Sequence, residues 1–300
     1  MDAVVTKGLT KCFGDKRAVD AIDLSVRSGE IFGLVGPDGA GKTTMMRLLA
    51  SLMDPTSGDA WILGHHTVRE GDAVKDNIAY MSQRFGLYAD LTVLENLLFY
   101  ADLYGVTGRE RDSRVERLLA FSNMAAFKRR RAGNLSGGMK QKLGLACALV
   151  HAPKVLLLDE PTNGVDPVSR RDFWRILYQL LGEGVTIVVS TAYLDEAERC
   201  SRVALLHEGH IVALDTPAAM RRLLPGKTLE VHTANPRLAA ATLREKFGAS
   251  SVILFGDRIN VVEPSAEDTS ESIRTLLTGA NIEVSSIHAT EPLGHAVERG

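Results

Sequence analysis

Gly36-Pro37-Asp38-Gly39-Ala40-Gly41-Lys42-Thr43-Thr44 decides how the rest of the chain is read. It has the spacing G-x-x-x-x-G-K-[ST]. In that pattern glycines let the backbone wrap closely around an anion, successive N–H groups and a helix N-terminus face it, and a lysine adds a point charge. The stretch predicts a triphosphate site, with Thr43 offering its hydroxyl to Mg²⁺. Upstream, Ile31-Phe32-Gly33-Leu34-Val35 is a short apolar run of the kind buried inside a sheet. Downstream, Met45, Met46, Leu48, Leu49 and Leu52 give an apolar face to a helix from Lys42 to about Leu52, stopped by Asp54-Pro55. Strand, loop and helix follow in the order such a site needs.

Working outward, residues 3 to 9 and 18 to 26 alternate polar and apolar around Gly14-Asp15 and predict an antiparallel hairpin with Phe13 at its tip. Strands follow near Ala60 to Leu63 and at Ile78 to Met81, and Gln83 opens a loop carrying Phe85, Leu87, Tyr88 and Leu91. Thr92 caps a helix to about Tyr104 and Arg109 to Met124 forms another, so 85 to 134 reads as a helical insertion. Its run Lys128-Arg129-Arg130-Arg131 is either a phosphate contact or a solvated face. Leu135-Ser136-Gly137-Gly138-Met139-Lys140-Gln141 sets a serine cap and two glycines before an amphipathic helix to His151, a second anion-facing helix start.

Val155-Leu156-Leu157-Leu158-Asp159-Glu160 is a buried parallel strand ending in two carboxylates, and Asp166-Pro167 starts a helix to Leu181. Val185 to Val189 is another strand, Tyr193 to Cys200 a short helix, and Arg202 to Leu214 a hairpin turning at Glu208-Gly209; the α/β unit closes near Leu224. Beyond the linker Pro225-Gly226-Lys227 the pattern changes. Strand 228–233, helix 236–247, a hairpin over 251–262 around Gly256-Asp257, helix 268–278 and strand 282–288 make a β-α-β-β-α-β module of ferredoxin-like order with no catalytic constellation.

Bulk properties narrow the partners. A net charge of −2 gives no global pull toward nucleic acid or anionic lipid, and no window approaches the apolar length of a membrane span. Cys12, Cys147 and Cys200 have no C-x-x-C spacing, so neither a disulfide framework nor a zinc site is expected, and a reducing cytosol is. The N-terminus lacks a secretory pattern.

Together these stretches resemble the ATP-binding cassette of ABC transporters over about residues 3 to 224. The Walker A loop 36 to 44, Gln83, the signature 135 to 141, Walker B 155 to 159 with Glu160, and Gly164-Val165-Asp166-Pro167 occur in the family's order. The resemblance implies a P-loop NTPase of the ABC type: an antiparallel β subdomain, a helical subdomain at about 85–150, a cassette at 1–224 and an α+β accessory module at 225–300. It also implies roles. Phe13 would stack on adenine; Gly36, Asp38, Gly39, Ala40, Gly41, Lys42, Thr43 and Thr44 would hold the phosphates of ATP. Thr43, Gln83 and Asp159 would serve Mg²⁺, and Glu160 would be the general base polarising the attacking water. Asp38 stands where the family usually has Asn, which weakens nucleotide binding slightly unless the carboxylate points at solvent. Ser136, Gly137 and Gly138 would bind the γ-phosphate on a partner cassette, in a homodimer or a fused or heterologous pair.

One departure matters most. Ala192 occupies the position of the family's switch histidine, so its own Walker A site is expected to be slow or binding-only, as in the first cassette of tandem-cassette exporters; an engineered replacement of the histidine is the competing account. Tyr80 to Tyr88, Leu91 to Leu97 and Tyr193 to Glu198 are similar to the ABC-2 exporter group. That implies an ATPase peripheral to the inner membrane's cytoplasmic face, docked on an integral-membrane permease through the loop after Gln83. No nucleic acid is expected as partner. The rival is a soluble ABC switch acting on nucleic acid or ribosomes, and a third reading makes 228–300 a ligand sensor or dimer brace.

Overall fold

A computed structural model describes residues 2–83, 86–223, 227–248, 251–255, 258–263, 266–280 and 282–290. Phe85, Leu224, Pro225-Gly226 and the turn at Gly256-Asp257 lie outside the described residues. Two compact units emerge, Met1–Pro217 and Ala218–Gly300.

In the first unit a six-stranded sheet runs in the order His210–Asp215, Arg202–His207, Ile31–Val35, Thr186–Thr191, Val155–Asp159, Ile78–Met81, and only the first strand is antiparallel to its neighbour. All residues of Ile31–Val35, Val155–Asp159 and Thr186–Thr191 are buried, which is why these strands read as unbroken apolar runs. A second, antiparallel sheet has the order Lys16–Arg27, Asp2–Phe13, Ser57–Ile62, His65–His66. Its first two strands are the expected hairpin, longer at both ends, with Phe13 paired to Lys16 beside the turn.

The helix Lys42–Leu49 shares one core with both sheets: Met45, Met46, Leu48 and Leu49 pack with Leu9, Val19 and Ile22 and with Phe32, Leu157 and Val188. It stops three residues short of expectation. Ser51 takes a left-handed backbone (φ 54°) and Leu52 turns outward, 57% exposed, instead of joining the apolar face. The helix after Ser136 also ends early, at Ala148, and is not amphipathic: Leu143 to Ala148 are all buried. Tyr193 to Cys200 contributes only the single turn Leu194–Ala197.

The helical region consists of Val93–Leu103 and Gly108–Phe121, followed by short turns at Ala125–Phe127 and Ala132–Asn134. Thr92 closes a capping box: its hydroxyl accepts from Glu95 N (3.2 Å), and the Glu95 carboxylate accepts from Thr92 N (2.7 Å). Replacing Thr92 with Ala is expected to cost about 1 kcal/mol, read as a lower denaturation midpoint at unchanged slope. The basic run is an exposed face whose backbone serves this helix, since the carbonyls of Arg130 and Lys128 accept from Val93 N and Leu94 N.

The second unit has the β-α-β-β-α-β order, with an antiparallel sheet ordered Val252–Phe255, Arg258–Glu263, Lys227–Thr233, Val284–Thr290. Its core includes Leu229, Val231, Leu243, Ile259, Ile273 and Leu277 from the sheet and both helices, Pro236–Phe247 and Ala266–Gly279. Among the described residues no helix is long and apolar enough to cross a membrane.

Candidate functional site

Four parallel strands, Ile31–Val35, Thr186–Thr191, Val155–Asp159 and Ile78–Met81, the last leading to Gln83, deliver the site at their C-terminal ends, where ligands of open α/β sheets bind. Ile31–Val35 feeds the glycine loop. Val155–Asp159 presents Asp159 and then Glu160, and the neighbouring Thr186–Thr191 lays Ser190 beside Asp159 in register. The loop is tied to Thr186–Thr191, the switch strand that precedes Ala192, by Gly36 N donating to Thr191 O (3.2 Å), and to the hairpin of Arg202–His207 and His210–Asp215 by Gly209 N donating to Ala40 O (3.1 Å). Gly41 has φ 107°, and a Cβ there would sit 2.1 Å from Ala18 O, so only glycine fits. At Gly39 (φ 81°) an added Cβ meets nothing within 4 Å, which leaves that edge of the loop open to a ligand.

Lys42 is buried, with its ammonium donating to Gly36 O (2.7 Å) and Pro37 O (3.0 Å) and pairing with Glu160 Oε1 at 3.0 Å. Thr43 Oγ1 donates to Asp159 Oδ1 (3.1 Å), which also accepts from Ser190 Oγ (2.7 Å). A threonine hydroxyl next to a buried carboxylate is a hard-oxygen set that suits Mg²⁺, which is typically held by one or two carboxylates together with substrate phosphates. Glu160 has a left-handed backbone (φ 48°), a conformation a non-glycine residue keeps only where its surroundings enforce it. Its N–H donates to Ser190 Oγ (3.0 Å), and its Oε2 accepts from Gln83 Nε2 (3.0 Å) and Asn163 Nδ2 (3.3 Å).

Of these groups Lys42, Thr43, Gln83 and Glu160 border a cleft of about 470 Å³, whose other lining residues are Phe13, Lys16, Ala18, Asp38, Gly39, Gly41 and Thr44. The hairpin therefore brings Phe13 to the phosphate loop across the sequence. Phe13 is 50% exposed, a flat apolar surface at the cleft mouth, with Lys11 Nζ 5.5 Å from its centroid. Asp38 is exposed and borders this cleft and an adjoining one lined by Lys16, Arg17, His207 and Glu208. Ser136, Gly137 and Gly138 do not line the cleft. Ser136 is exposed and caps its helix through Met139 N (3.3 Å), while Gly138 is packed against Ser169.

The family model described as ABC transporter matches residues 19–163. The chain is 34% identical over 277 residues to the daunorubicin resistance ATP-binding protein DrrA2 of Streptomyces coeruleorubidus, covering 92% of this chain and 83% of that protein. The chain belongs to the ABC transporter family of ATP-binding cassettes. It is 50% identical over 249 residues to the probable multidrug ABC transporter ATP-binding protein YbhF of Escherichia coli K12, covering 81% of this chain but only 43% of YbhF. Among solved structures, cbiO1 of Clostridium perfringens superposes with a TM-score of 0.69 at 25% identity, covering 74% of this chain and 91% of that one. A cassette solved as a dimer in a post-hydrolysis state, bound to ADP and Pi, superposes at 0.64 and 28% identity, covering 71% and 98%. Membership makes the chain an ATP-binding cassette of the P-loop fold, and the relatives YbhF and DrrA2 are named as a probable multidrug transporter ATP-binding protein and a drug-resistance ATP-binding protein.

Sequence reasoning passed over Ser190, Asn163 and Tyr193 as site residues. The signal for Ser190 was partial: its hydroxyl directly follows the apolar run Ile187-Val188-Val189, and the strand carries it to a fully buried position where it needs a partner.

Proposed function

We propose that this chain is the ATP-hydrolysing subunit of an ABC-2 type exporter, docked on an integral-membrane permease at the cytoplasmic face of the cell membrane. Residues 1–224 form the cassette and 225–300 an accessory module. The observation that carries the reading is Gln83. It lines the nucleotide cleft, holds Glu160, and also walls a groove of about 300 Å³ with Leu87, Ala89, Gly133, Lys140 and Gln141. A permease segment seated in that groove touches the side chain that touches the base. Tyr88, Phe99 and Leu103, all exposed, give the same region an apolar surface that a partner would cover. The multidrug and drug-resistance relatives support export as the task, and the exported substrate belongs to the permease.

Phe13 at the cleft mouth would stack on adenine, the glycine loop with Lys42 and Thr44 would hold the phosphates, and Asp159, bonded to Thr43, would with Thr43 and Gln83 hold Mg²⁺. When bound, Mg²⁺ neutralises charge on the phosphates. Glu160 accepts the proton of the attacking water. Ser136, Gly137 and Gly138 lie off this chain's cleft, which supports their use across a head-to-tail pair with a second cassette. The exposed methyl of Ala192 supplies no donor to the γ-phosphate, so the site on this Walker A turns over slowly.

Membrane flotation of the chain co-expressed with a six-span permease tests the assignment. The wild type is expected in the membrane fraction and Leu87→Asp in the soluble one; a wild type that stays soluble overturns the docking. Phe13→Ala is expected to raise KM for ATP roughly threefold to tenfold with kcat little changed, as loss of one stacking contact should.

A further inference from the structure

We infer that Tyr193 and Asn163 position the Glu160 carboxylate, so that the segment following Thr191 acts on hydrolysis through its residue 193, where residue 192 is only a methyl group. Glu160 Oε1 is engaged by Lys42, and Oε2 by Gln83 at 3.0 Å and the Asn163 amide at 3.3 Å. The backbone places Asn163 there. Asn163 N donates to Glu160 O (3.2 Å), closing a four-residue turn that folds the amide back over the carboxylate. The other end of the amide, Oδ1, accepts from Tyr193 OH at 3.4 Å. With its oxygen committed to the tyrosine, Asn163 can turn only its NH₂ toward Glu160, the orientation a carboxylate accepts.

Tyr193 is itself held from behind. Its N–H donates to Thr191 Oγ1 (3.0 Å), and the Arg170 guanidinium lies 4.4 Å from its ring centroid. Both supports meet at Glu196, which is 1% exposed. Glu196 accepts from the hydroxyls of Thr162 and of Thr191 (2.6 Å), and Arg170 Nε lies 3.5 Å from it. Thr162 sits in the Glu160 turn and Thr191 ends the switch strand, so one buried carboxylate clips the two segments together. The path from that clip to the base runs Thr191 and Arg170, Tyr193, Asn163, Glu160. Neither Tyr193 nor Asn163 borders the nucleotide cleft. They act through Glu160, and their effect belongs in kcat rather than in ATP binding.

This inference rests on Glu160 being the general base, and the test separates the two claims. ATP turnover of the purified full chain is measured by release of labelled phosphate for Y193F, N163A, the double variant and E160Q, with melting temperature and ATP affinity in parallel. Asn163→Ala is expected to lower kcat about tenfold and Tyr193→Phe about threefold, each at unchanged KM. The double variant is expected to match N163A alone, because the hydroxyl has no route to Glu160 once the amide is gone. A purely structural role would instead give additive losses that follow melting temperature, and that result overturns the inference. If E160Q loses turnover while Y193F and N163A keep the parent kcat, only the positioning claim falls. If E160Q keeps turnover, both fall.

Discussion

Glu160→Gln is expected to remove at least a hundredfold of the ATP turnover while ATP binding is retained or strengthened. General-base catalysis contributes roughly 10²- to 10⁴-fold, and an amide cannot take the proton from water. The substitution keeps the shape of the side chain, so the strained turn at residue 160 and the bonds from its N–H to Ser190 need not change. The rise in affinity has a separate cause. Lys42 Nζ sits 3.0 Å from Glu160 Oε1, and removing that negative charge leaves the buried ammonium free to serve the phosphates. Turnover and affinity thus move in opposite directions, which general unfolding cannot produce. Single-turnover phosphate release with equilibrium titration of ATP reads both. Turnover within tenfold of the parent would show that another group takes the proton.

The sequence made much of this site legible because its chemistry is local. Ile31 to Leu49 hold strand, loop and helix in one continuous run, and the glycines at 39 and 41 are required by the left-handed backbone there. Asp159 and Glu160 were visible as polar residues ending an apolar strand. The β-α-β-β-α-β order of the second unit was legible from its turn residues and alternation. Helix ends were less so: nothing in the apolar pattern marks Ser51 as left-handed, and Leu52 continues the 3.6-residue period although the chain has already turned away. The helix after Ser136 looked amphipathic because its small residues, Gly144, Ala146 and Ala148, count as neutral in a pattern. Structurally they permit close packing on every side. Asn163 and Tyr193 were hidden for a different reason. Polar residues in a loop read as solvated, and only the alignment of the strand ends at Asp159 and Ser190 brings their two loops together.

Ala192→His is expected to raise turnover of the chain, by roughly a hundredfold if the histidine supplies one preorganised donor to the developing charge on the γ-phosphate, since loss of such a donor typically costs 10²- to 10³-fold. The position can take the larger side chain: Ala192 is exposed, follows the last residue of the switch strand, and its neighbour Thr191 O is bonded to Gly36 N at 3.2 Å. The imidazole therefore starts within one residue of the Walker A loop. A control separates a restored donor from better folding, because the double variant carrying Ala192→His and Glu160→Gln should stay inactive: the donor stabilises charge but takes no proton. The effect must also depend on pairing, because Ser136 lies off this chain's own cleft, so the gain should grow with protein concentration as cassettes associate. An Ala192→His chain with unchanged turnover at every concentration would place the limitation elsewhere. Asp38, the other departure from the family pattern and a residue on the cleft wall, would then be the next to replace, by Asn.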